Sequence, residues 1–335
     1  MDFFFIEYRD PIFGLIVLFS VLLLVAILSY FWGVFSLNDQ KKSIDKFVNK
    51  FQPQNQLDQK YQDMLIRLDI DSGSLNALAG IFARSGEFNK AIAIYLIALQ
   101  KAITKSQKEL IFLNLGKAYL KAGFMQRSIE VFLEAIKISP KNIDALSHLG
   151  LGFEKLRLYD KSLEVLDALQ EQGVDVAQEI AYTKALKLKN SQIEFEQKVA
   201  KMAKFANDFK LVSRMILELF IINDKDVNLI NIKPDLAHCL DILYLNDAVL
   251  DGDEYKELYS AKGQNQTQIN NFELKLLKTA KQNKINATLS FSYVCSKCKG
   301  TYPLFFYRCN HCARLGSCVI IPNLIKENDE ECISF

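Results

Sequence analysis

The apolar positions of this chain recur in four different ways. The first is an unbroken run. From Ile12 to Phe35 there is no charged residue. As a helix rising about 1.5 Å per residue, the run reaches about 36 Å, more than the roughly 30 Å of a hydrocarbon core. The pattern predicts a transmembrane helix over 12–35, with residues 1–11 as a short extracytoplasmic N-terminus. A cleavable signal peptide has a shorter apolar region, a basic leading side and a small-residue cleavage site. Here Asp2, Glu7 and Asp10 stand against Arg9, and the run closes with Tyr30, Phe31 and Trp32, residues that suit a membrane interface. Lys41, Lys42, Lys46 and Lys50 follow, which places the remainder of the chain on the cytoplasmic side of the membrane. Residues 36–73 are polar and rich in Gln, a linker interrupted by Pro53 and leading into a first helix.

The second pattern is a repeat. Leu75, Leu78, Ala79 and Phe82 are followed by Ala91, Tyr95 and Ala98. Phe112, Leu115, Gly116 and Tyr119 are followed by Ser128, Phe132 and Ala135. Leu146, Leu149, Gly150 and Phe153 are followed by Ser162, Leu166 and Leu169. Successive copies are offset by 37 and 34 residues. This is the tetratricopeptide pattern of two helices per repeat. Each helix needs an apolar stripe at three- to four-residue spacing. Where the helices of a hairpin cross closely the residue must be small, hence Ala79, Gly116 and Gly150 opposite Ala91, Ser128 and Ser162. Gly86 and Gly123 fall where the first helix ends, and Pro140 ends the second helix of its copy. Three copies in one register, over 74–174, predict a solenoid of helix hairpins.

Residues 175–285 keep helical spacing but lose the repeat. AQEIAYTKALKLK, FKLVSRMILELFII, PDLAHCLDILYL and FELKLLKTAKQ read as helices of degenerate repeats, separated by polar breaks around 223–234 and 259–271.

The fourth pattern is carried by cysteine. Four of the seven Cys residues form Cys295-x-x-Cys298 and Cys309-x-x-Cys312. A two-residue gap lets two thiolates converge on one ion, and two such turns make a closed tetrahedral four-sulfur shell that suits structural zinc. Iron fits the same shell; with no partner redox module visible in the chain, zinc is the preferred ion. A segment over 290–323 is too small to fold without the metal, and 324–335 is a tail. His311, inside the second knuckle, is expected to be exposed. Cys318, Cys332 and Cys239, the last beside His238, are expected to be packing or surface thiols.

Composition narrows the function. Half of the 335 residues are hydrophobic and the net charge is +2, which does not suit a nucleic-acid binder. The 14 Gly and 6 Pro are too few for an all-β chain. There is no nucleophile with a matched base, no Gly-rich phosphate loop and no HExxH, and the histidines are His148, His238 and His311 alone. The expected fold class is all-α: a transmembrane helix, an α-solenoid and a small metal knuckle. An enzyme is not expected. A stack of helix hairpins offers a concave groove for partner segments. On it Asn76, Arg84, Lys117, Lys121 and Lys155 are the candidate partner-binding residues, largely basic and suited to an acidic segment.

The order of anchor, repeats and Cys-x2-Cys-x10-Cys-x2-Cys module resembles the lipopolysaccharide assembly protein B family. The resemblance is most specific at Tyr293, at Cys295 and Cys298, at Phe305, Phe306 and Tyr307 before Arg308-Cys309, and from Cys312 to Ile321-Pro322. It implies a rubredoxin-like module packed on the repeats, with Cys295, Cys298, Cys309 and Cys312 as metal ligands. It also implies a cytoplasm-facing adaptor of the bacterial inner membrane that limits lipopolysaccharide synthesis by linking the membrane protease FtsH to the deacetylase LpxC. The chain departs from that family in having only three clear repeats, in its extension before the span, and in Lys299 standing where a Gly commonly follows the knuckle. The alternatives are a membrane-tethered scaffold for another envelope-assembly complex and an iron-containing electron-transfer protein.

Overall fold

The computed structural model describes residues 11–51 and 59–326. The expectations that concern residues 1–10, Pro53 and Cys332 lie outside them. Two compact units divide the chain, residues 1–156 and 157–335.

In the first unit, α1 (Pro11–Phe51) and α2 (Gln59–Arg67) precede three repeat helices and their partners: α3 (Ser72–Arg84), α4 (Phe88–Lys101), α5 (Lys105–Lys121), α6 (Met125–Ile138) and α7 (Ile143–Lys155). Within the apolar run of α1 the described side chains are those of residues 18–30, and every one is exposed. No helix, judged on the described residues, is long and apolar enough to cross a membrane. The C-terminal end of α1 is built differently. Phe47, Val48 and Phe51 recur at helical spacing, and Val48 and Phe51 are buried. Phe47 stacks on Phe51 at 4.2 Å and meets the edge of Phe112 at 5.3 Å. Tyr119 of α5 donates its hydroxyl to the Phe51 carbonyl at 2.6 Å, and burial pushes that phenol up to about 12.

The repeat helices sit as their spacing requires. Ala79, Ala91, Leu115 and Ser128 are fully buried. At Gly116 of α5 a Cβ would stand 2.5 Å from the Phe132 ring of α6, so only glycine lets these helices approach this closely. Helices α3, α5 and α7 start with side-chain caps. Asp71, Thr104 and Asn142 accept from the N–H groups of Ser74, Gln107 and Ala145, satisfying donors that lack intrahelical partners. Helices α4 and α6 start without a side-chain cap, because a left-handed residue turns the chain straight into them. These residues are Gly86 at φ 85° and Gly123 at φ 86°. The third copy has Arg157 there, at φ 59°, and the division between units falls beside it.

The second unit holds α8 (Tyr159–Glu171), α9 (Ala177–Lys189), α10 (Phe195–Ala203), α11 (Leu211–Ile222), α12 (Leu236–Leu245), α13 (Lys256–Lys262) and α14 (Phe272–Gln282). Helix α9 packs on α11 across α10, as α3 packs on α5 across α4 in the first unit. The core runs from Ala181 through Met202, Val212, Met215, Cys239 and Leu243 to Leu277 and Leu289.

The expectation of an all-α chain is corrected at the C-terminal end. Strands β1 (Ala287–Cys295), β2 (Thr301–Tyr302) and β3 (Cys318–Lys326) form an antiparallel sheet in the order β2-β1-β3. The reason is local. ATLSFSYVC alternates, and Ala287, Leu289, Tyr293 and Cys295 point into the core, a period of two that suits a half-buried strand and not a helix.

Candidate metal centre

The first knuckle hangs from a strand, and the second lies in the loop between β2 and β3, closed by an isolated bridge between Arg308 and Leu315. Strand β1 ends at Cys295, and the turn after it carries Cys298. The same backbone circuit closes both knuckles. Lys299 donates to the Cys295 carbonyl and Ala313 to the Cys309 carbonyl, each at 2.9 Å. Cys295 and Cys309 donate in turn to the carbonyls of Gly300 and Arg314 at 2.9 and 3.0 Å. The residue after the second cysteine is left-handed in both, Lys299 at φ 62° and Ala313 at φ 58°. The departure at Lys299 therefore changes the side chain and keeps the turn, at a cost of about 1 kcal/mol relative to glycine.

The four sulfurs of Cys295, Cys298, Cys309 and Cys312 all lie within 4.8 Å of one another. The Cys295–Cys312 and Cys298–Cys309 separations are both 3.6 Å. Sulfurs bound to one ion at about 2.3 Å in a tetrahedron stand about 3.8 Å apart, so the donor set fits a single metal ion. Burial opposes a thiolate at Cys295, but N–H groups of Cys298 and Lys297 and the Ser317 hydroxyl outweigh it and bring the thiol down to about 6. At Cys309 burial is likewise outweighed, by the N–H groups of Cys312 and His311 and by the Tyr302 hydroxyl, 3.3 Å from the sulfur. Burial and the neighbouring sulfurs push Cys312 up to about 12. At Cys298 the Gly300 N–H favours the thiolate, yet burial and the adjoining sulfurs raise the thiol. A metal ion takes sulfur as thiolate, so binding at this centre would displace the protons that remain on the four thiols.

Other residues near the centre are placed apart from the sulfur shell. His311 is exposed. Cys318 is buried opposite Cys295 across β1 and β3, and its thiol is raised by burial. Cys239 is fully buried in α12, its thiol also raised by burial.

A feature that the spacing of cysteines did not announce joins the knuckles to the helices. Arg214 of α11 is 2% exposed and Asp241 of α12 is 2% exposed. They form a two-pronged pair at 2.7 and 2.9 Å. Tyr293 of β1 donates to the same carboxylate at 2.9 Å, and the guanidinium lies 3.5 Å from the centre of the Phe305 ring. Burial opposes the Arg214 charge, but Asp241 outweighs it and pushes the guanidinium up. Burial, reinforced by Asp241, raises the Tyr293 phenol. The sequence did carry a signal: α11 and α12 are strongly apolar, yet α11 holds Arg214 and Glu218 and α12 holds Asp241, in LVSRMILEL and HCLDIL.

The candidate partner-binding residues lie on α3, α5 and α7. Asn76 is half-buried and accepts from Asn114 at 3.0 Å. Lys117 pairs with Asp144 at 2.8 Å. Arg84, Lys121 and Lys155 are exposed.

Comparison with known proteins agrees with the repeat. A tetratricopeptide-repeat family model matches residues 74–109. Lipopolysaccharide assembly protein B of Escherichia coli is 28% identical over 125 residues, which cover 36% of this chain and 32% of that protein. BBSome complex member BBS4 of Bos taurus is 34% identical over 68 residues, 20% of this chain and 13% of that protein. The chain thus spans at most about a third of the length of these curated relatives. Among solved structures, MamA from Desulfovibrio magneticus is 17% identical with a TM-score of 0.37, over 46% of this chain and 85% of that one. YrrB, described as a tetratricopeptide-repeat protein with an unusual peptide-binding site, is 16% identical with a TM-score of 0.36, over 47% of this chain and 80% of that one. The matched repeat, the partial similarity and the four-cysteine cluster fit a tetratricopeptide-repeat protein resembling lipopolysaccharide assembly protein B.

Proposed function

We propose that this chain is a membrane-anchored tetratricopeptide-repeat adaptor that regulates lipopolysaccharide synthesis. The observation that carries the reading is the conjunction, in one chain, of partial similarity to lipopolysaccharide assembly protein B with a four-cysteine centre docked on helices. In this reading the apolar run 12–35 spans the inner membrane once and the units face the cytoplasm. The repeats of the first unit present a groove to protein partners. The partners are FtsH and LpxC, so that the adaptor presents LpxC for proteolysis. Asn76, Arg84, Lys117, Lys121 and Lys155 contribute to that groove.

Cys295, Cys298, Cys309 and Cys312 hold zinc in a structural role. A closed four-sulfur shell leaves no position for substrate; the ion would fix the knuckles, while the protein's own residues position the module.

The test is depletion of the protein followed by measurement of LpxC abundance, with co-purification from membranes under mild detergent. Accumulation of LpxC and recovery of FtsH are expected. Unchanged LpxC would remove this function and leave a scaffold for another envelope complex. Metal analysis of the purified protein separates zinc from iron: colourless protein with one zinc is expected, and visible absorption from an iron–sulfur centre would instead favour electron transfer.

A further inference from the structure

The second unit carries a groove that neither the repeat nor the metal centre uses. It lies between α14 and the paired ends of β1 and β3, with a volume of about 490 Å³. Leu276 and Ala280 line it from α14, Ile285 and Ala287 from the chain entering β1, and Leu324 and Ile325 from β3. Of these, Leu276, Ile285, Leu324 and Ile325 are exposed at 37 to 58%, although side chains of this type belong in a core.

Two observations define what fits. The first is the strand. Among the described residues β3 pairs with β1 on one side and with no strand on the other. Its last three residues, Leu324–Lys326, line the groove. An unpaired strand edge beside an apolar groove offers main-chain hydrogen bonds and pockets for alternate side chains to an extended segment. The second is charge. Lys326 lines the groove, and Lys281 and Lys284 stand next in the sequence to its lining residues Ala280, Asn283 and Ile285, all three lysines exposed, with no carboxylate among the lining residues. A surface aimed at another copy of itself would set these lysines against one another, whereas an acidic segment would be steered to them.

We propose that this groove docks an extended, acidic segment of a protein partner, added antiparallel or parallel to β3, with apolar side chains at alternate positions entering between α14 and the sheet. The site is separate from the repeat groove and does not depend on the adaptor reading above.

The test is fluorescence anisotropy with the full chain and a labelled eight-residue peptide of alternating isoleucine and glutamate, in zwitterionic and in anionic nanodiscs. Saturable binding in both is expected, weakening as salt is raised. K281E/K284E should lower the affinity about tenfold, a factor that corresponds to about 1.4 kcal/mol. Ile325→Asp should abolish binding. Both substitutions fall on exposed side chains, and an unchanged unfolding midpoint keeps loss of binding distinct from loss of fold. Binding unaffected by these variants overturns the proposal. Binding lost only in anionic nanodiscs also overturns it, because a lipid surface then takes the groove. If deleting residues 327–335 (ENDEECIS and a final Phe) raises peptide affinity tenfold or more, the occupant is this chain's own terminus and the partner reading is overturned.

Discussion

Two helix pairs, one in each unit, solve the same problem in opposite ways. Helices α5 and α6 approach through Gly116, where the Phe132 ring occupies the room a Cβ would need. Helices α11 and α12 are joined by the ion pair of Arg214 and Asp241, buried and shared with Tyr293 of the knuckle module. The first pair needs only a small residue at a fixed interval. The second needs two charges, a phenol and an aromatic ring from three elements and a loop, with each charge satisfied. Close packing of the first kind fails gradually. Buried charge of the second kind fails abruptly, because removing one member leaves the other uncompensated in a dry interior.

The comparison breaks first at the metal. Structural metal supplies on the order of 10 kcal/mol of folding free energy to a small module. Chelation, or Cys309→Ser, is therefore expected to unfold residues 290–323 and to expose Phe305, Tyr293 and the Arg214 pair. Near-ultraviolet circular dichroism and hydrogen exchange on α11 and α12 would register this, while exchange in α5 and α6 should stay unchanged.

Next in size is the pair itself. Asp241→Ala should cost about 3–5 kcal/mol, the usual penalty of stranding a buried charge, read by denaturant unfolding of the second unit. The double change R214M/D241L should recover most of that loss. If it is as damaging as the single change, the pair contributes more than charge compensation and the contrast drawn here is too simple.

A smaller effect is expected in the first unit. Gly116→Ala forces the Phe132 ring aside and should cost about 1–3 kcal/mol, the range for overpacking, with no change in metal content.

The smallest is Arg157→Gly. It removes the cost of a left-handed non-glycine residue and should raise stability by about 1 kcal/mol, measured as a shift in the unfolding midpoint.

The same contrast explains what could be read from the chain. The repeat of the first unit was legible because one residue type, small, must recur wherever two helices cross. Ala79 and Gly116 announce it without reference to anything distant. The sulfur shell was legible for a similar reason, since a two-residue gap is local. The strands were missed at Ala287–Cys295 because attention to cysteine spacing hid a period of two among small and aromatic residues. The docking of the module was missed because Arg214, Asp241, Tyr293 and Phe305 are scattered over 92 positions. Their relation exists only after folding, and the clue in sequence, charges inside two apolar helices (Arg214 and Glu218 in one, Asp241 in the other), does not say which charge meets which.

The clasp between Tyr119 and the Phe51 carbonyl reaches further than its size suggests. It grips the far end of a continuous 41-residue helix that stretches about 60 Å at about 1.5 Å per residue. A loose leash would let the repeats wander and tumble; a mast stepped into them does not. If the run in α1 is seated in a bilayer, the first unit must ride at a set stand-off and heading, showing the same flank to whatever moves alongside it.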